Sequence, residues 1–287
     1  MTYRKLPTKS GTLLTSLVWG CAGLIVCVSV AMLADILMSG VSQIDWAFLT
    51  QPPSDSGRSG GIGPILVSTL LILFVCLCAV IPIGLGGAIL LAEYLPSASP
   101  LGRSFRATLE ILSSIPSIVF GLFGNILFCD LLGLKFSILS GGLTLACMVL
   151  PIFIRSTEQS LQSISNTYRY GGAALGMNKT EVIFQILAPA ALPGVTVGLL
   201  IGVGRALAET AALIFTSGYV DRMPSSLLDS GRSLSIHIYD LSMNVTGGDA
   251  NAYATAFILI VLIVLINCFT VAMKDLWMRQ RGDIECL

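Results

Sequence analysis

Long apolar runs separated by short polar segments dominate the chain. Six stretches are almost continuously hydrophobic, at about residues 13–37, 64–92, 111–129, 136–154, 190–216 and 252–273. About 20 apolar residues are enough to cross a bilayer as an α-helix. A helix also satisfies its own backbone polar groups in lipid. The pattern therefore predicts an all-α, polytopic membrane protein with six transmembrane helices in one domain over 1–287. Pro82 interrupts the second run and Pro116 the third, which membrane helices tolerate when neighbours satisfy the freed groups. The first run is too long for a removable signal and lacks a small-residue cleavage site, so it reads as an anchor helix. The polar segments fall at 38–63, 155–189 and 217–251. The first of them carries Gln51-Pro52-Pro53-Ser54 and Gly60-Gly61-Ile62-Gly63-Pro64 as turn signals. No clear internal repeat points to an inverted-repeat secondary transporter.

Composition agrees with the pattern. Hydrophobic residues make up 54% and charged residues 11% of the chain, with a mean hydropathy of +0.86. A soluble domain is typically about 25% charged. Net charge is zero, so bulk electrostatics favour neither nucleic acid nor a peripheral membrane association. Basic residues set an orientation. With the N-terminus inside, Arg4, Lys5, Lys9, Arg103, Arg106, Arg155, Arg169, Lys179, Lys274, Arg279 and Arg281 are cytoplasmic, against Arg58, Lys135, Arg222 and Arg232 outside. This positive-inside bias places both termini in the cytoplasm, and in a bacterium the chain in the inner membrane. The eight cysteines, Cys21, Cys27, Cys76, Cys78, Cys129, Cys147, Cys268 and Cys286, form no CxxC pair, and His237 is the sole histidine. They read as buried free thiols, with no metal site.

Residues 158–189 carry more pattern than a linker needs. Leu161, Ile164, Tyr168 and Leu175 fall on one helical face. Gly176 sits where a helix C-terminus calls for a left-handed residue. Asn178 with Glu181 three residues on predicts a capping box. Val182, Ile183, Ile186 and Leu187 form the apolar stripe of the next short helix, and Pro189 and Pro193 mark entry to span five. The expectation is two short helices joined by a sharp Gly turn at the membrane surface. They are either a docking element or an interfacial hairpin without a partner.

Span five carries Arg205 and Glu209. Four residues apart on a continuous helix, they share a face, about 20–30 Å along the span at 1.5 Å per residue. Gly194, Gly198, Gly202 and Ala206 form a neighbouring small-residue ridge for close packing. A charge at membrane depth costs about 2.5–3.5 kcal/mol on insertion scales. Two readings follow. Either the pair neutralises itself and fixes a helix interface, or the Arg205 guanidinium meets an oxyanion while Glu209 orients it and prevents anion trapping. Arg155 closes span four as a positive-inside anchor or contributes to an inner mouth. Glu93 and Asp130 read as interfacial caps and Asn125 as a packing group. The loop 217–251, with Asp221, Arg222, Asp229, Arg232, Asp240 and Asp249, reads as solvated, and the Asn244-Val245-Thr246 sequon is assigned no role.

A family resemblance rests on these residues. Tyr170-Gly171-Gly172-Ala173-Ala174-Leu175-Gly176, followed by Ile186-Leu187-Ala188-Pro189, resembles the EAA loop of ABC-importer permeases. That pattern is E-A-A, three residues, G, nine residues, I-x-L-P. Tyr170 stands where the Glu would be and Ala188 replaces the Leu, while the Gly176 spacing holds. Phe48–Pro53, Gly60–Ile65, Ile115–Gly124, Leu150–Ile152, Arg155–Glu158, Arg205–Ala211 and Ile236–Tyr239 are similar to the A-type permease branch of the phosphate (Pst) importers. The resemblance covers roughly residues 45–273, and the order and spacing of the pieces carry it.

The resemblance implies a type I ABC-importer permease fold and passage of inorganic phosphate near Arg205. It implies coupling of ATPase motion through Tyr170, Gly171, Gly172, Ala173, Ala174, Gly176, Ile186 and Pro189. The implied partners are a second permease subunit (PstC type), two ATPase subunits (PstB type) and a periplasmic phosphate-binding protein (PstS type) facing the outer loop. The chain itself has no G-x-x-x-x-G-K-[ST], since Met177-Asn178 follow Gly171 to Gly176. It also offers no nucleophile triad. The expectation is therefore a non-enzymatic transmembrane subunit without its own cofactor, with ATP and Mg used by the partner ATPases. A permease for another oxyanion, such as sulfate or molybdate, and a sensing or scaffold subunit that moves nothing stay open as alternatives.

Overall fold

A computed structural model describes residues 8–95 and 99–285, with side chains described over 13–95 and 99–278. Arg4, Lys5 and Cys286 lie outside the described residues, and Lys9, Arg279 and Arg281 lie outside those whose side chains are described. The protein is helical almost throughout. The long helices are α1 (Thr8–Gly40), α3 (Gly63–Ile89), α6 (Ile138–Ser163), α9 (Ala188–Leu207) and α12 (Asp249–Glu285). Between them lie α2 (Trp46–Thr50), α4 (Pro100–Ser114), α5 (Ser117–Gly124), α7 (Asn166–Ala174), α8 (Lys179–Glu181), α10 (Ala211–Ile214) and α11 (Leu234–Met243). Five helices, or helices with their wider-wound continuations, are long and apolar enough to cross a membrane. A broken pair supplies a sixth candidate span.

That broken pair corrects the expected third span. Residues 111–129 do not form one helix, because α4 ends at Ser114 and the chain restarts at Ser117 after a bend of 100°. Ile115 is extended, with ψ 133°, as a residue before proline tends to be. Pro116 has no N–H to continue the helix. Residues 111–114 belong instead to an amphipathic helix, started by Pro100 and capped by Ser99, whose hydroxyl accepts from the Gly102 N–H at 3.1 Å. The membrane part continues from α5 into a wider turn at Asn125–Leu131. There the Asn125 side-chain amide donates to the Phe215 carbonyl at 2.7 Å, the packing role expected of it.

α6 is the axis of the fold, packed against α3 on one side and α9 on the other. Small residues permit the approach. A Cβ on Gly194 would lie 2.3 Å from Ser160, one on Gly202 2.7 Å from Val149, and one on Gly142 2.5 Å from Val75. The Gly194, Gly198, Gly202 and Ala206 ridge is thus the face that α9 turns to α6. Phe153, Leu145, Met148 and Val149 of α6 join Cys76 and Val80 of α3 and Val203 of α9 in the main buried cluster. α6 runs to Ser163, well beyond the expected end of span four near residue 154. Residues 158–163 therefore belong to α6 and not to the loop. Leu161 is buried there, and the extended Ile164 separates it from Tyr168 and Leu175, so the expected common face does not form.

α1 touches the rest of the chain through α12 and the segment after it. Most of its surface stays open, including Leu17, Trp19, Leu24 and Ile25. Of the described cysteines, Cys76 and Cys129 are buried and Cys147 half-buried. Cys21, Cys27, Cys78 and Cys268 are exposed on the apolar exterior, which corrects the expectation of buried thiols. On the side between α1 and α3, the Asp45 carboxylate caps α2 at the Phe48 N–H. A short hairpin there pairs Pro53–Ser54 with Ser59–Gly60.

Candidate functional site: the end of α9 and the 164–187 hairpin

Arg205 sits in the last turn of α9. The helix ends at Leu207, so span five does not run on to residue 216. Ala208, Glu209 and Thr210 lie outside regular helix before α10 begins. The break is held by replacement bonds. Glu209 Oε1 accepts from the Ala212 N–H at 3.3 Å, and the Glu209 carbonyl accepts from the Ser235 hydroxyl at 2.6 Å. Glu209 thus caps α10 and ties α9 to α11. It does not pair with Arg205, which overturns the expected ion pair on one helix face.

Arg205 is half-buried, and among the described residues it has no hydrogen bond or ion pair. Its side of α9 is open. Val197 and Ile201 are about half exposed, Ala208 is exposed, and a Cβ on Gly204 would meet nothing within 4 Å. The glycine ridge against α6 lies on the neighbouring side. A guanidinium carries five donors and stays charged. Intramembrane charges face a bundle interior or a water-filled cavity, not lipid. Among the described residues no carboxylate faces the Arg205 guanidinium, whose N–H donors are free to meet an acceptor from outside this chain.

Arg155 is placed differently. It lies within α6, where its Nη1 donates to Glu158 Oε2 at 3.3 Å and its Nη2 bonds Glu110 of α4. Glu158 also accepts from Arg106 Nε at 2.5 Å and from Gln162 at 3.0 Å. Arg155 is thus committed to a network that fastens α4 to α6. It is not a free terminal anchor.

The 164–187 segment makes the expected sharp turn, but only α7 is a separate short helix: from Lys179 the chain winds through a wider stretch at Val182–Leu187 straight into α9, so the fifth candidate span begins at Lys179 and not near residue 190. The Ser165 hydroxyl starts α7. Gly176 takes φ +79°, a conformation that costs an L-residue about 1–2 kcal/mol. Asn178 and Glu181 form the predicted capping box. Val182, Ile183 and Leu187 are buried against Leu161 and Ala191, with Ile186 half-buried. Gly172 faces Val182, where a Cβ would approach to 2.7 Å. Gly171, Ala173, Ala174 and Gly176 are exposed, Tyr170 is 73% and Leu175 82% exposed, and Pro189 begins α9. The hairpin thus holds the Tyr170 and Leu175 side chains in the open.

Glu93 was expected to be an interfacial cap. It instead receives Arg169 through both guanidinium Nε and Nη2, at 3.1 and 2.6 Å. No sequence signal pairs residues 76 positions apart. The Arg106–Glu158 contact, 52 positions apart, was equally out of reach.

The comparisons with known proteins bear on this arrangement. Residues 81–276 match the family described as binding-protein-dependent transport system inner membrane component. The chain belongs to this family. Its relatives include the probable ABC transporter permease protein YqgI of Bacillus subtilis, 30% identical over 92% of this chain and 94% of that protein. The probable phosphate transport system permease protein PstA of Methanocaldococcus jannaschii is 32% identical over 75% of this chain and 77% of that protein. A crystal structure of a bacterial ABC transporter that imports alginate contains a chain similar in fold. Its TM-score is 0.65 at 14% identity, over 93% of this chain and 96% of that one. The protein is therefore a membrane-spanning permease subunit of an ABC importer, and its PstA-named relatives agree with the resemblance drawn from the motifs. Permeases of this family work with ATPase subunits and a substrate-binding protein.

Proposed function

We propose that this chain is the PstA-type permease subunit of an ATP-driven importer for inorganic phosphate. The observation that carries the reading is Arg205, half-buried near the end of a membrane helix and without a partner among the described residues, beside the side of α9 that these residues leave open. A second permease subunit of PstC type covers that side and encloses the path. Phosphate, a tetrahedral oxyanion, meets the guanidinium fork and passes on because a lone Arg holds it weakly enough for release. Two PstB-type ATPases bind and hydrolyse ATP with Mg, and one of them docks on the 164–187 hairpin through Tyr170 and Leu175. A PstS-type binding protein delivers phosphate at the opposite face. Both termini are cytoplasmic in the bacterial inner membrane, as the basic residues prescribe.

The test is ATP-dependent uptake of radiolabelled phosphate by vesicles holding the full complex, wild type against Arg205→Gln, with assembly measured in the same samples. Loss of a charge-assisted contact predicts about a 10–100-fold fall in uptake at unchanged assembly. Uptake equal to wild type removes Arg205 from the path. A guanidinium alone does not separate tetrahedral anions, so sulfate and molybdate are included as competitors. Stronger competition by either than by unlabelled phosphate assigns the chain to another oxyanion. Assembly with no anion uptake at all assigns it a sensing or scaffold role.

A further inference from the structure

The wide turn Leu90–Tyr94 at the end of α3 is where three separate parts of the chain are tied together. Glu93, its side chain 7% exposed, binds the hairpin twice. Its carboxylate takes the Arg169 guanidinium of α7, and its carbonyl accepts from Lys179 Nζ of α8 at 2.5 Å. The Lys179 ammonium also lies 4.1 Å from the Tyr94 ring centroid. Arg169 in turn donates to the Ile164 and Leu161 carbonyls, both at 2.9 Å, at the exit of α6. On the other side of the turn, Arg106 of α4 donates to the Leu91 carbonyl at 2.7 Å while its Nε holds Glu158 of α6. One turn thus grips both helices of the hairpin and, through Arg106, the buried carboxylate of the central helix.

The geometry points to Glu93 as a positioning residue for transport: it couples displacement of the 164–187 hairpin to α3 and, through Arg106 and Glu158, to α4 and α6. Packing joins the same parts: Val182, Ile183 and Leu187 meet Leu161 of α6, Ala191 of α9, and Ile89 and Ala92 at the end of α3, and the Glu93 contacts add a directional link to that apolar one. A bidentate Arg–carboxylate contact resists rotation as well as separation, and the nearly buried carboxylate is little screened by solvent. The negative charge stands on the wide turn at the end of α3, and Arg169 of α7 reaches it from the hairpin. The inference rests on the reading of the hairpin as the ATPase-docking element.

The experiment uses the full complex with its exposed native cysteines replaced and a single reporter cysteine at Ala208, exposed beside Arg205 at the far end of α9. Thiol labelling is compared between the nucleotide-free and the vanadate-trapped ATP states. ATP hydrolysis is measured in parallel. In the parent complex the labelling rate differs between the states. Glu93→Gln is expected to reduce that difference by about tenfold, the effect of cutting a charge-assisted contact, while ATP is still hydrolysed. Glu93→Arg combined with Arg169→Glu is expected to restore part of it. An undiminished difference in Glu93→Gln overturns the inference. Should that variant fail to assemble, Arg169→Gln with Lys179→Met cuts the same link from the hairpin side and carries the same two outcomes. A second reporter, Leu175→Cys, tests the underlying reading separately. No cross-link to the ATPase means the hairpin does not dock there, whereas a cross-link with undiminished labelling change rejects only the role of Glu93.

Discussion

Replacing Glu158 with Ala tests how the cytoplasmic network holds α4 on α6. The Glu158 side chain is 2% exposed and faces Arg106, 14% exposed, at 2.5 Å. It also receives Arg155 and Gln162. Removing the carboxylate leaves Arg106 buried without its counter-ion, and Arg106 Nη1 already has no hydrogen-bond partner. Breaking a buried ion pair from one side costs about 3–5 kcal/mol. Glu110 provides the internal comparison. It is 63% exposed and pairs with Arg155, and solvent-exposed pairs of this kind contribute about 0–1 kcal/mol. Unfolding free energy would be measured by SDS titration in mixed micelles, followed by helical circular dichroism. Glu158→Ala should lose about 3–5 kcal/mol and Glu110→Ala less than about 1 kcal/mol. The double replacement Arg106→Met with Glu158→Leu removes both charges, so its loss should fall clearly below the sum of the single losses. Equal losses at Glu158 and Glu110, or strict additivity in the double variant, would show that the network is not an electrostatic clamp.

Two further predictions concern packing and pH. Gly194→Val should destabilise the isolated subunit by about 1–3 kcal/mol through overpacking against Ser160, whereas Gly204→Ala, which meets nothing within 4 Å, should change it by less than about 0.5 kcal/mol; the same SDS titration separates them. The His237 imidazole is held down to about 4, first by burial and then by the Arg232 guanidinium, against the opposing pull of Asp240 and Asp221. With the unfolded value near 6.5, the native state binds fewer protons below that pH, so this contribution is intact above pH 6.5 and is lost as pH falls towards 4. Thermal unfolding of the wild-type chain should therefore lose stability between pH 7 and pH 4.5, and His237→Gln should flatten that part of the profile.

Much of the fold was legible because lipid leaves few options. A run of about 20 apolar residues at membrane depth must be a helix, which marked out the segments that became α1, α3, α6, α9 and α12. Local chemistry was equally readable. The left-handed Gly176 and the Asn178–Glu181 box involve residues a few positions apart, so the sequence states them directly. The glycine ridge of α9 was readable too, because a small-residue stripe at helical spacing is itself the packing surface.

The errors arose where a helix ends inside an apolar run. A hydropathy run does not resolve the bend at Ile115–Pro116 or the break after Leu207, since the chain is apolar on average across both; the first stop is set by Pro116, and the second is held by bonds to distant groups such as Ser235. That single break changed the reading of the site. On a continuous helix Arg205 and Glu209 share a face; in the folded chain Glu209 caps α10, and Arg205 has no partner among the described residues. The ion pairs Glu93–Arg169 and Arg106–Glu158 likewise join residues 76 and 52 positions apart. The sequence alone determined that the chain is a bundle of long apolar helices and how the hairpin turns, because those follow from transfer free energy and from neighbours along the chain. Which charges meet, and which one is left open to a partner, was decided by the tertiary structure, because a Coulombic contact depends on distance in space and not on separation in sequence.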